Sequence, residues 1–455
     1  MKARQLWLYS LPNLSISMLV MPIAVIVPSL YIKERGVALA TMGVILMLAR
    51  IFDAVADQVI GYLSDITRNR FPGGRKAWVA LGGLVAMPAV YFLCVPPVHA
   101  GVVYFILWSL AAYFAWAALL IPYTAWGAEL SREYEQRTRI AMVRSVTGQI
   151  GALMFLVTPL VLPYFGFASG TDMDLNAVFY VAVAIVILLP LSIAPALLWV
   201  PQGIPQIYAP PPRLLETLRA LWKNGPMRCY AGAFLISELG YGIFASIIFI
   251  YIDAYLGLGS RFSTVIIIAN ICMLFTLPVW APLSRRLGKK QAWAISWIGQ
   301  ALGFLALLLV PRGDDGFVLF TVLISLGTVF SGAAAVIAPS ILGDIVDYDT
   351  LKTGAYRAGN YFALYGLANK IVVAIGGGLA MVLLGLFHYD VAHPANNGPM
   401  ENDAMVAICV VAPAVLRLLA LFVLWRYPLD ARRQSIIRRR LEQREARLQR
   451  LQVAT

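Results

Sequence analysis

The sequence predicts an all-α membrane protein whose twelve spanning helices form two halves of six. Hydrophobic residues make up 60% of its 455 residues and charged residues only 13%, and the mean hydropathy is +0.76. This composition leaves too few charges for a water-facing shell, so much of the apolar surface must face lipid. A segment that crosses hydrocarbon must satisfy its own backbone hydrogen bonds, so each long apolar stretch is expected to be a helix.

Twelve apolar stretches are long enough to cross a bilayer core, which takes about 20 residues per helix. The first stretch is not followed by a signal-peptide cleavage site, and we interpret it as a permanent helix. The predicted helices cover residues 6–32, 37–64, 77–97, 101–127, 140–165, 176–200, 229–256, 262–284, 291–311, 316–342, 359–387 and 404–426.

Positive charge alternates from one loop to the next. Loops after even-numbered helices are rich in lysine and arginine, whereas loops after odd-numbered helices carry only Lys33, Arg35, Arg261 and Arg312, together with acidic residues. The positive-inside rule then places the even loops and both termini in the cytoplasm, and we expect a bacterial plasma membrane. The formal net charge of +13 needs no nucleic acid to explain it, because no basic stripe interleaved with aromatic residues is present.

A long polar interruption at residues 201–228 divides the helices six and six. It predicts a cytoplasmic linker between an N-terminal half, residues 1–200, and a C-terminal half, residues 229–426. The sequence Gly74-Arg75-Lys76 after helix 2 is echoed by Gly288-Lys289-Lys290 after helix 8. Repeated halves would show such equivalent loops, although short cytoplasmic loops are commonly basic in any membrane protein.

The tail at residues 427–455 is dense in arginine, with apolar residues such as Ile437 and Leu441 between the charges. One interpretation is an amphipathic cytoplasmic helix that lies near anionic lipid headgroups. The other is a solvated basic tail that only reinforces the topology.

Ionisable side chains inside predicted helices are candidates for function, because charge at membrane depth is costly. Asp53 and Asp57 lie four residues apart on helix 2, one turn after Arg50, and therefore share one helical face. Two stacked carboxylates repel each other unless a cation or a proton reduces their charge, which predicts a coupling-ion site. Asp57 is the better candidate for a proton, since it lies farther from Arg50. The structural alternative is a pair held by Arg50 and a neighbouring helix to fix packing.

Further candidates lie on helices 4, 5 and 11. Lys370 is in the middle of helix 11 and cannot easily reach a membrane surface, so it should face the interior. Arg144 on helix 5 offers a fork of donors to a solute or to a gating carboxylate. Trp116 and Tyr365 are placed to stack on a sugar ring or simply to pack. For Glu238 and Arg417 we expect structural pairing.

A series of motifs extends from helix 2 to helix 11. They are Leu48–Asp57, Gly74–Lys76, Ile121–Tyr123, Ala128–Leu130, Glu135–Arg144, Gly343–Gly354 and Asn369–Lys370. In this order they resemble the glycoside–pentoside–hexuronide:cation symporters of the major facilitator superfamily. The resemblance implies that superfamily's fold, with a central cavity lined by helices 1, 2, 4, 5, 7, 8, 10 and 11. It also implies that Asp53 and Asp57 bind the cation, that Arg144 contacts sugar, and that Lys370 lies near both sites.

Four positions depart from the family pattern. Ser17 and Leu120 occupy substrate-site positions where sugar-transporting members have aspartates, which argues against a galactoside substrate. Ala56 and Ala117 replace an asparagine and a threonine of the cation site. Losing these neutral oxygen ligands weakens a sodium site and favours a proton.

The leading interpretation is a symporter of a small, sugar-like solute that is driven by protons or sodium. The alternative is a carrier of lysolipids or other amphipathic solutes, since the same superfamily branch includes sodium-dependent lysolipid carriers. A receptor or an assembly factor would not need the three charges at Asp53, Asp57 and Lys370. We expect no enzyme, no cofactor and no metal beyond a sodium ion at the two aspartates, because His99, His388 and His393 all fall in external loops and form no metal-type cluster. Expected partners are the solute and membrane lipids, and the expected state is a monomer.

The charge pattern of the loops predicts the location of the C-terminus. Alkaline phosphatase fused after Thr455 should be inactive, because the enzyme folds only outside the cytoplasm, whereas the same reporter inserted after Asp172 should be active. Enzyme assays on intact bacterial cells measure both fusions. High activity of the Thr455 fusion would reverse the predicted orientation.

Overall fold

The fold consists of twelve long helices, as seen in a computed structural model. The structure describes residues 3–70, 73–131, 134–203, 223–354, 358–429, 432–437 and 439–443. Within these ranges twelve helices are long and apolar enough to cross a membrane, which confirms the predicted number. They are α1 (Ala3–Arg35), α2 (Leu39–Arg70), α3 (Gly74–Cys94), α4 (Val102–Glu129), α5 (Tyr134–Val161), α6 (Leu175–Trp199), α7 (Gly225–Tyr255), α8 (Phe262–Leu287), α9 (Lys289–Leu309), α10 (Phe317–Thr353), α11 (Ala358–Leu386) and α12 (Pro399–Trp425).

The helices pack as two equivalent halves. In the first half α1 packs on α5 and α6, α2 on α4, and α3 on α4 and α6. The same pairs recur six helices later, where α7 packs on α11 and α12, α8 on α10, and α9 on α10 and α12. The principal contacts between the halves are α2 with α11, α1 with α7, and α5 with α8. Most of the predicted linker, residues 204–222, lies outside the described residues.

Several helix ends differ from the prediction by four residues or more, at α2, α5, α7, α10 and α12. α10 continues to Thr353, past the predicted end at 342, and stops where Gly354 takes a left-handed φ of 77°. The apolar pattern ends earlier because the last turns lie beyond the hydrocarbon and carry acidic residues. α7 begins at Gly225, since the Asn224 side chain accepts a hydrogen bond from the Met227 amide at 3.1 Å and caps the helix.

The end of the bundle that carries the basic loops after α2, α4, α8 and α10 is here called the basic end, and the opposite end the acidic end. At the basic end Arg75, at the start of α3, donates to Glu129 at the end of α4 over 3.0 Å. In the second half Lys289, at the start of α9, pairs with Asp344 on α10 at 2.6 Å. The first basic residue of the repeated loop thus links equivalent helices in each half, α3 to α4 and α9 to α10.

The next residue of each loop caps another helix. Lys76 donates to the carbonyl oxygens of Leu197 and Val200, at 2.7 and 2.5 Å, at the end of α6. Lys290 donates to the Trp425 carbonyl at 2.5 Å at the end of α12. An ammonium group stabilises the negative end of a helix dipole. The sequence echo therefore has a physical role that a generic basic loop would not require.

The described part of the C-terminal tail lies against the protein. Residues 432–437 and 439–443 are helical. Ile437 is buried with Leu429 and Tyr427 in the core of the second half, and Gln434 donates to Asp347 on α10 over 3.1 Å. This apolar side chain contacts protein, whereas both sequence interpretations placed the tail against lipid or in solvent.

Contacts between the halves close the acidic end. Lys33 on α1 pairs with Asp253 on α7 at 2.7 Å. At the contact of α2 with α11, Gly43 and Gly378 face each other so closely that a Cβ on Gly378 would lie 2.8 Å from the Gly43 carbonyl oxygen. Small residues permit this approach of two helix backbones. The acidic end is therefore tightly packed.

The glycine contact predicts a conformational variant. Gly378→Val should force α2 and α11 apart at the acidic end, because a backbone carbonyl cannot move aside as a flexible side chain can. A cysteine introduced at Met381, which is fully buried, should then react faster with an impermeant maleimide in a variant that lacks the four native cysteines.

Gly343→Val on α10 is the matched control, since a Cβ there meets nothing within 4 Å. If the labelling rates of the two valine variants were equal, Gly378 would not be needed for closure.

Candidate functional site

An ion cluster joins the two halves inside the bundle. Lys370 on α11 donates to Oδ2 of Asp53 on α2 over 3.2 Å, and its Nζ also hydrogen-bonds Oδ2 of Asp57. The side chains of Asp53 and Asp57 are only 4% and 11% exposed, whereas that of Lys370 is 37% exposed. One ammonium group thus bridges two nearly buried carboxylates across the α2–α11 contact.

The second oxygen of each carboxylate is unpaired. Among the described residues, Oδ1 of Asp53 and Oδ1 of Asp57 are buried and have no hydrogen-bond partner, and the same holds for Oδ1 of Asn369 beside Lys370. A buried acceptor without a partner costs free energy, of order 1–3 kcal/mol. These oxygens fit a site that takes up a proton or a small cation.

Arg50 does not neutralise the aspartates. Its guanidinium lies over the Tyr113 ring at 5.3 Å from the centroid, and no described carboxylate oxygen lies within 4.0 Å of it. It also lines a small cavity of about 60 Å³ with Val25 and Ala245. The structural alternative, a pair held by Arg50 and a neighbouring helix, is therefore wrong about Arg50, whereas the neighbouring helix α11 does hold the pair through Lys370.

A cavity of about 590 Å³ leads to the ion cluster. Asp57 and Lys370 lie in its wall, together with Asp65 near the basic end of α2 and Ile121 on α4. Its α11 wall is made of Phe362, Ala363, Gly366, Leu367 and Lys370. These positions fall on one helical face, so the periodicity around Lys370 was a usable signal for them that the sequence analysis missed.

The family's two neutral cation ligands are replaced here by packed apolar groups. Ala56 on α2 and Ala117 on α4 belong to a small buried cluster with Ile60 and Ala118. Neither alanine side chain can supply an oxygen, so the carboxylates and Asn369 are the oxygen donors nearest the cluster on α2 and α11.

Ser17 and Arg144 lie at the contact of α1 with α5. Asn13 on α1 donates to the Arg144 carbonyl of α5 over 2.8 Å. A Cβ on Gly148 would lie 2.8 Å from Oγ of Ser17, so α1 and α5 are in close contact. The Arg144 guanidinium interacts with Tyr9. These residues therefore form a second polar group, outside the described lining of the 590 Å³ cavity.

Trp116, Leu120 and Tyr365 lie apart from the ion cluster. Trp116 and Leu120 pack against the large hydrophobic core. Tyr365 packs on Phe234 of α7, with ring centroids 4.5 Å apart. None of the three belongs to the described lining of the cavity beside Asp57, so the geometry gives them packing contacts there and no contact with the cluster.

Glu238 and Arg417 do not form the expected pair. Arg417 donates to the Ser237 hydroxyl, and no described carboxylate oxygen lies within 4.0 Å of its guanidinium. The two side chains interact electrostatically over a longer distance than that of an ion pair.

Two repeated six-helix halves around an interior ion cluster define a secondary transporter of the major facilitator superfamily. A family model described as MFS/sugar transport protein matches residues 8–431. The chain belongs to this family and is a multi-pass integral membrane protein. Its family and structural neighbours are transporters rather than enzymes, and its relatives include symporters.

Individual proteins support the same assignment. The glucuronide carrier protein homolog of Escherichia coli is 24% identical over 416 residues, covering 88% of this chain and 87% of that protein. A sodium-dependent lysophosphatidylcholine symporter of Danio rerio is 24% identical over 440 residues, covering 88% and 80%. The crystal structure of the nucleoside transporter NupG superposes with a TM-score of 0.68 at 17% identity, covering 94% of this chain and all of that one.

The ion cluster predicts a stability effect. Lys370→Met should destabilise the protein by on the order of 2 kcal/mol, because it leaves two nearly buried carboxylates without a counter-charge. The loss should stay below that of a fully buried pair, since part of Lys370 is solvated. Adding Asp53→Asn should recover much of the stability. Thermal unfolding of the purified proteins measures both changes.

Lys352→Met, at an exposed position near the basic end, is the matched control and should leave the unfolding temperature unchanged. A double variant no more stable than Lys370→Met alone would show that charge compensation is not what Lys370 provides.

Proposed function

We propose that this protein couples the movement of a small, sugar-like solute to one monovalent cation, and that the cation is a proton. The observation that carries the proposal is the cluster of Asp53, Asp57 and Lys370 at the contact between the halves. Cation-driven alternating access needs a site whose charge state controls the contact between the halves. The cluster lies at the contact of α2 with α11, which is here called the joint.

The charges of the cluster support a single coupling ion. Two carboxylates carry two negative charges, and Lys370 supplies one positive charge. One further positive charge makes the cluster neutral. At membrane depth neutrality lowers the cost of desolvation as the cavity closes, so the loaded site can change its exposure while the empty, charged site resists the change.

Protonation provides a way to release the joint. Asp57 lies in the wall of the 590 Å³ cavity, whereas Asp53 lies deeper. A proton on Asp57 removes its charge-assisted hydrogen bond with Lys370, so the bridge between α2 and α11 weakens. Solute that enters the same cavity can then stabilise the rearranged state.

The described ligands favour a proton over sodium. A sodium ion would collect its oxygens from Asp53, Asp57 and Asn369, on both sides of the contact of α2 with α11, and from the unpaired hydroxyl of Tyr113 on α4. The two alanines of the neighbouring cluster offer none. A proton needs only one carboxylate oxygen, and two are unpaired among the described residues.

The proposed solute rests on the side chains available and on similarity to known transporters. The similarity to a glucuronide carrier homolog supports a sugar-like solute, with Arg144 and Lys370 as candidate anion and hydroxyl donors. The second candidate is an amphipathic solute, which the lysophosphatidylcholine symporter and the apolar Leu120 favour. Ser17, Trp116 and Tyr365 are further candidates for solute contact, although they are not part of the described lining of the 590 Å³ cavity.

The orientation follows from loop charge. We place the basic end and both termini in the cytoplasm of a bacterial cell, with the protein in the plasma membrane as a monomer. The cavity beside Asp57 then faces the cytoplasm and the closed acidic end faces outward, which corresponds to an inward-facing state.

The coupling role predicts the behaviour of Asp57→Asn. Proteoliposomes are loaded and tested with methyl glucuronide or lysophosphatidylcholine, under a pH gradient or a sodium gradient imposed separately. The parent protein should accumulate one solute under the pH gradient, whereas Asp57→Asn should lose uphill accumulation and keep exchange down the solute gradient. The matched control is Asp172→Asn, which makes the same change in an outer loop and should accumulate solute as the parent does.

Accumulation driven only by the sodium gradient would show that the coupling ion is sodium and not a proton. Undiminished uphill accumulation in both Asp53→Asn and Asp57→Asn would make the carboxylate pair structural and would end the coupling proposal.

A further inference from the structure

A second cavity lies within the C-terminal half. It has a volume of about 340 Å³, near the lower end of the range for small-ligand sites, about 300–1,000 Å³. Helices α7 to α10 form most of its wall, and α1 and α12 complete it. Its lining is mainly apolar and includes Phe244, Ile248, Phe262, Ile266, Phe304 and Leu323.

Most polar side chains in this wall already donate to helix backbone. Asn270 donates to the Ile266 carbonyl over 2.8 Å, Thr328 to the Ala269 carbonyl over 2.9 Å, and Gln300 to the Ser296 carbonyl over 3.3 Å. These donors are satisfied within the protein. These three side chains therefore have few hydrogen-bond donors left for a ligand.

Arg417 is the exception. It lines the cavity from α12 and is only 5% exposed. Its guanidinium donates to the Ser237 hydroxyl, but its Nε has no partner among the described residues. Glu238 of α7 interacts with Arg417 electrostatically, but no described carboxylate oxygen lies within 4.0 Å of the Arg417 guanidinium, and most of the cavity wall that it faces is apolar. Charge in this setting is costly and is normally retained for a ligand.

Two glycines give the cavity its room. A Cβ on Gly327 of α10 would meet nothing within 4 Å, and a Cβ on Gly303 of α9 would come no closer than 3.9 Å to Gly327. Unlike the glycines of the α2–α11 contact, these are not needed for close packing. Their effect is to leave space between α9 and α10.

We propose that this cavity binds an amphipathic organic anion, with the acidic group on Arg417 and the apolar part beside Gly303 and Gly327. The charge of Arg417 selects an anionic group, and the apolar wall selects a hydrocarbon or aromatic body. The site lies mainly in the C-terminal half, with Met21 and Val25 of α1 at its edge, and includes none of the cluster residues, so binding there can be measured without transport.

The test is equilibrium binding of radiolabelled octanoate to the purified protein in lipid nanodiscs, with empty nanodiscs subtracted. Octanoate should bind saturably, and neutral 1-octanol should compete at least about tenfold more weakly, since it forgoes a charge-assisted hydrogen bond. Arg417→Gln should weaken octanoate binding by a similar factor, and Arg417→Lys should recover part of it.

A second pair of variants tests the space without touching the charge. Gly327→Leu should abolish octanoate binding by filling the cavity, whereas Gly343→Leu, on the same helix and equally free of neighbours within 4 Å, should bind as the parent does. Size-exclusion profiles check that each variant is folded.

Binding no greater than in empty nanodiscs, equal binding by Arg417→Gln and parent, or equal binding by the two leucine variants would each overturn the proposal. Because the assay measures no transport, the coupling proposal can fail while this one stands, and the reverse.

Discussion

The fold depends on one ammonium group shared by two carboxylates inside a membrane. Lys370 bridges Asp53 and Asp57 at the contact of α2 with α11, a principal contact between the halves. None of these charges would be stable alone at this depth, so each helix requires the other while the site is empty. The same bridge leaves one negative charge over, and this remainder makes the joint responsive to a cation.

The rest of the bundle is built so that the halves can move around this joint. At the basic end, Arg75 and Lys76 tie α3 to α4 and α6, and Lys289 and Lys290 tie α9 to α10 and α12. These bonds lie within a half. Bonds between halves are fewer, and Lys33 with Asp253 is one at the acidic end. Motion that keeps each half rigid therefore breaks few hydrogen bonds.

The sequence was informative where one physical rule allows a single structure, as with the length of an apolar helix or the spacing of residues along it. Apolar length predicted all twelve spans, and the spacing of Asp53 and Asp57 placed them on one face. That spacing could not show which cation would approach them, because Lys370 lies 317 residues from Asp53; its mid-helix position and the family resemblance were what placed it nearby. The end of α10 was misplaced because hydropathy detects the hydrocarbon boundary and not the end of hydrogen bonding. The interior of the C-terminal half was missed because Gly303 and Gly327 look like ordinary packing glycines, and only their neighbours in space distinguish them.

The two proposed sites are joined by their walls. Val25 and Ala245 line both the 340 Å³ cavity that contains Arg417 and the small cavity that contains Arg50. Both arginines favour negative charge, and Arg50 precedes Asp53 by one turn of α2. A negative group drawn toward Arg50 raises the cost of keeping both aspartates ionised and so favours a cation on the cluster. Binding free energies are reciprocal, so a bound cation must favour the anion to the same extent. If both proposals hold, an anion in the 340 Å³ cavity and a cation on the cluster would reinforce each other in this way, separately from the solute that enters the 590 Å³ cavity.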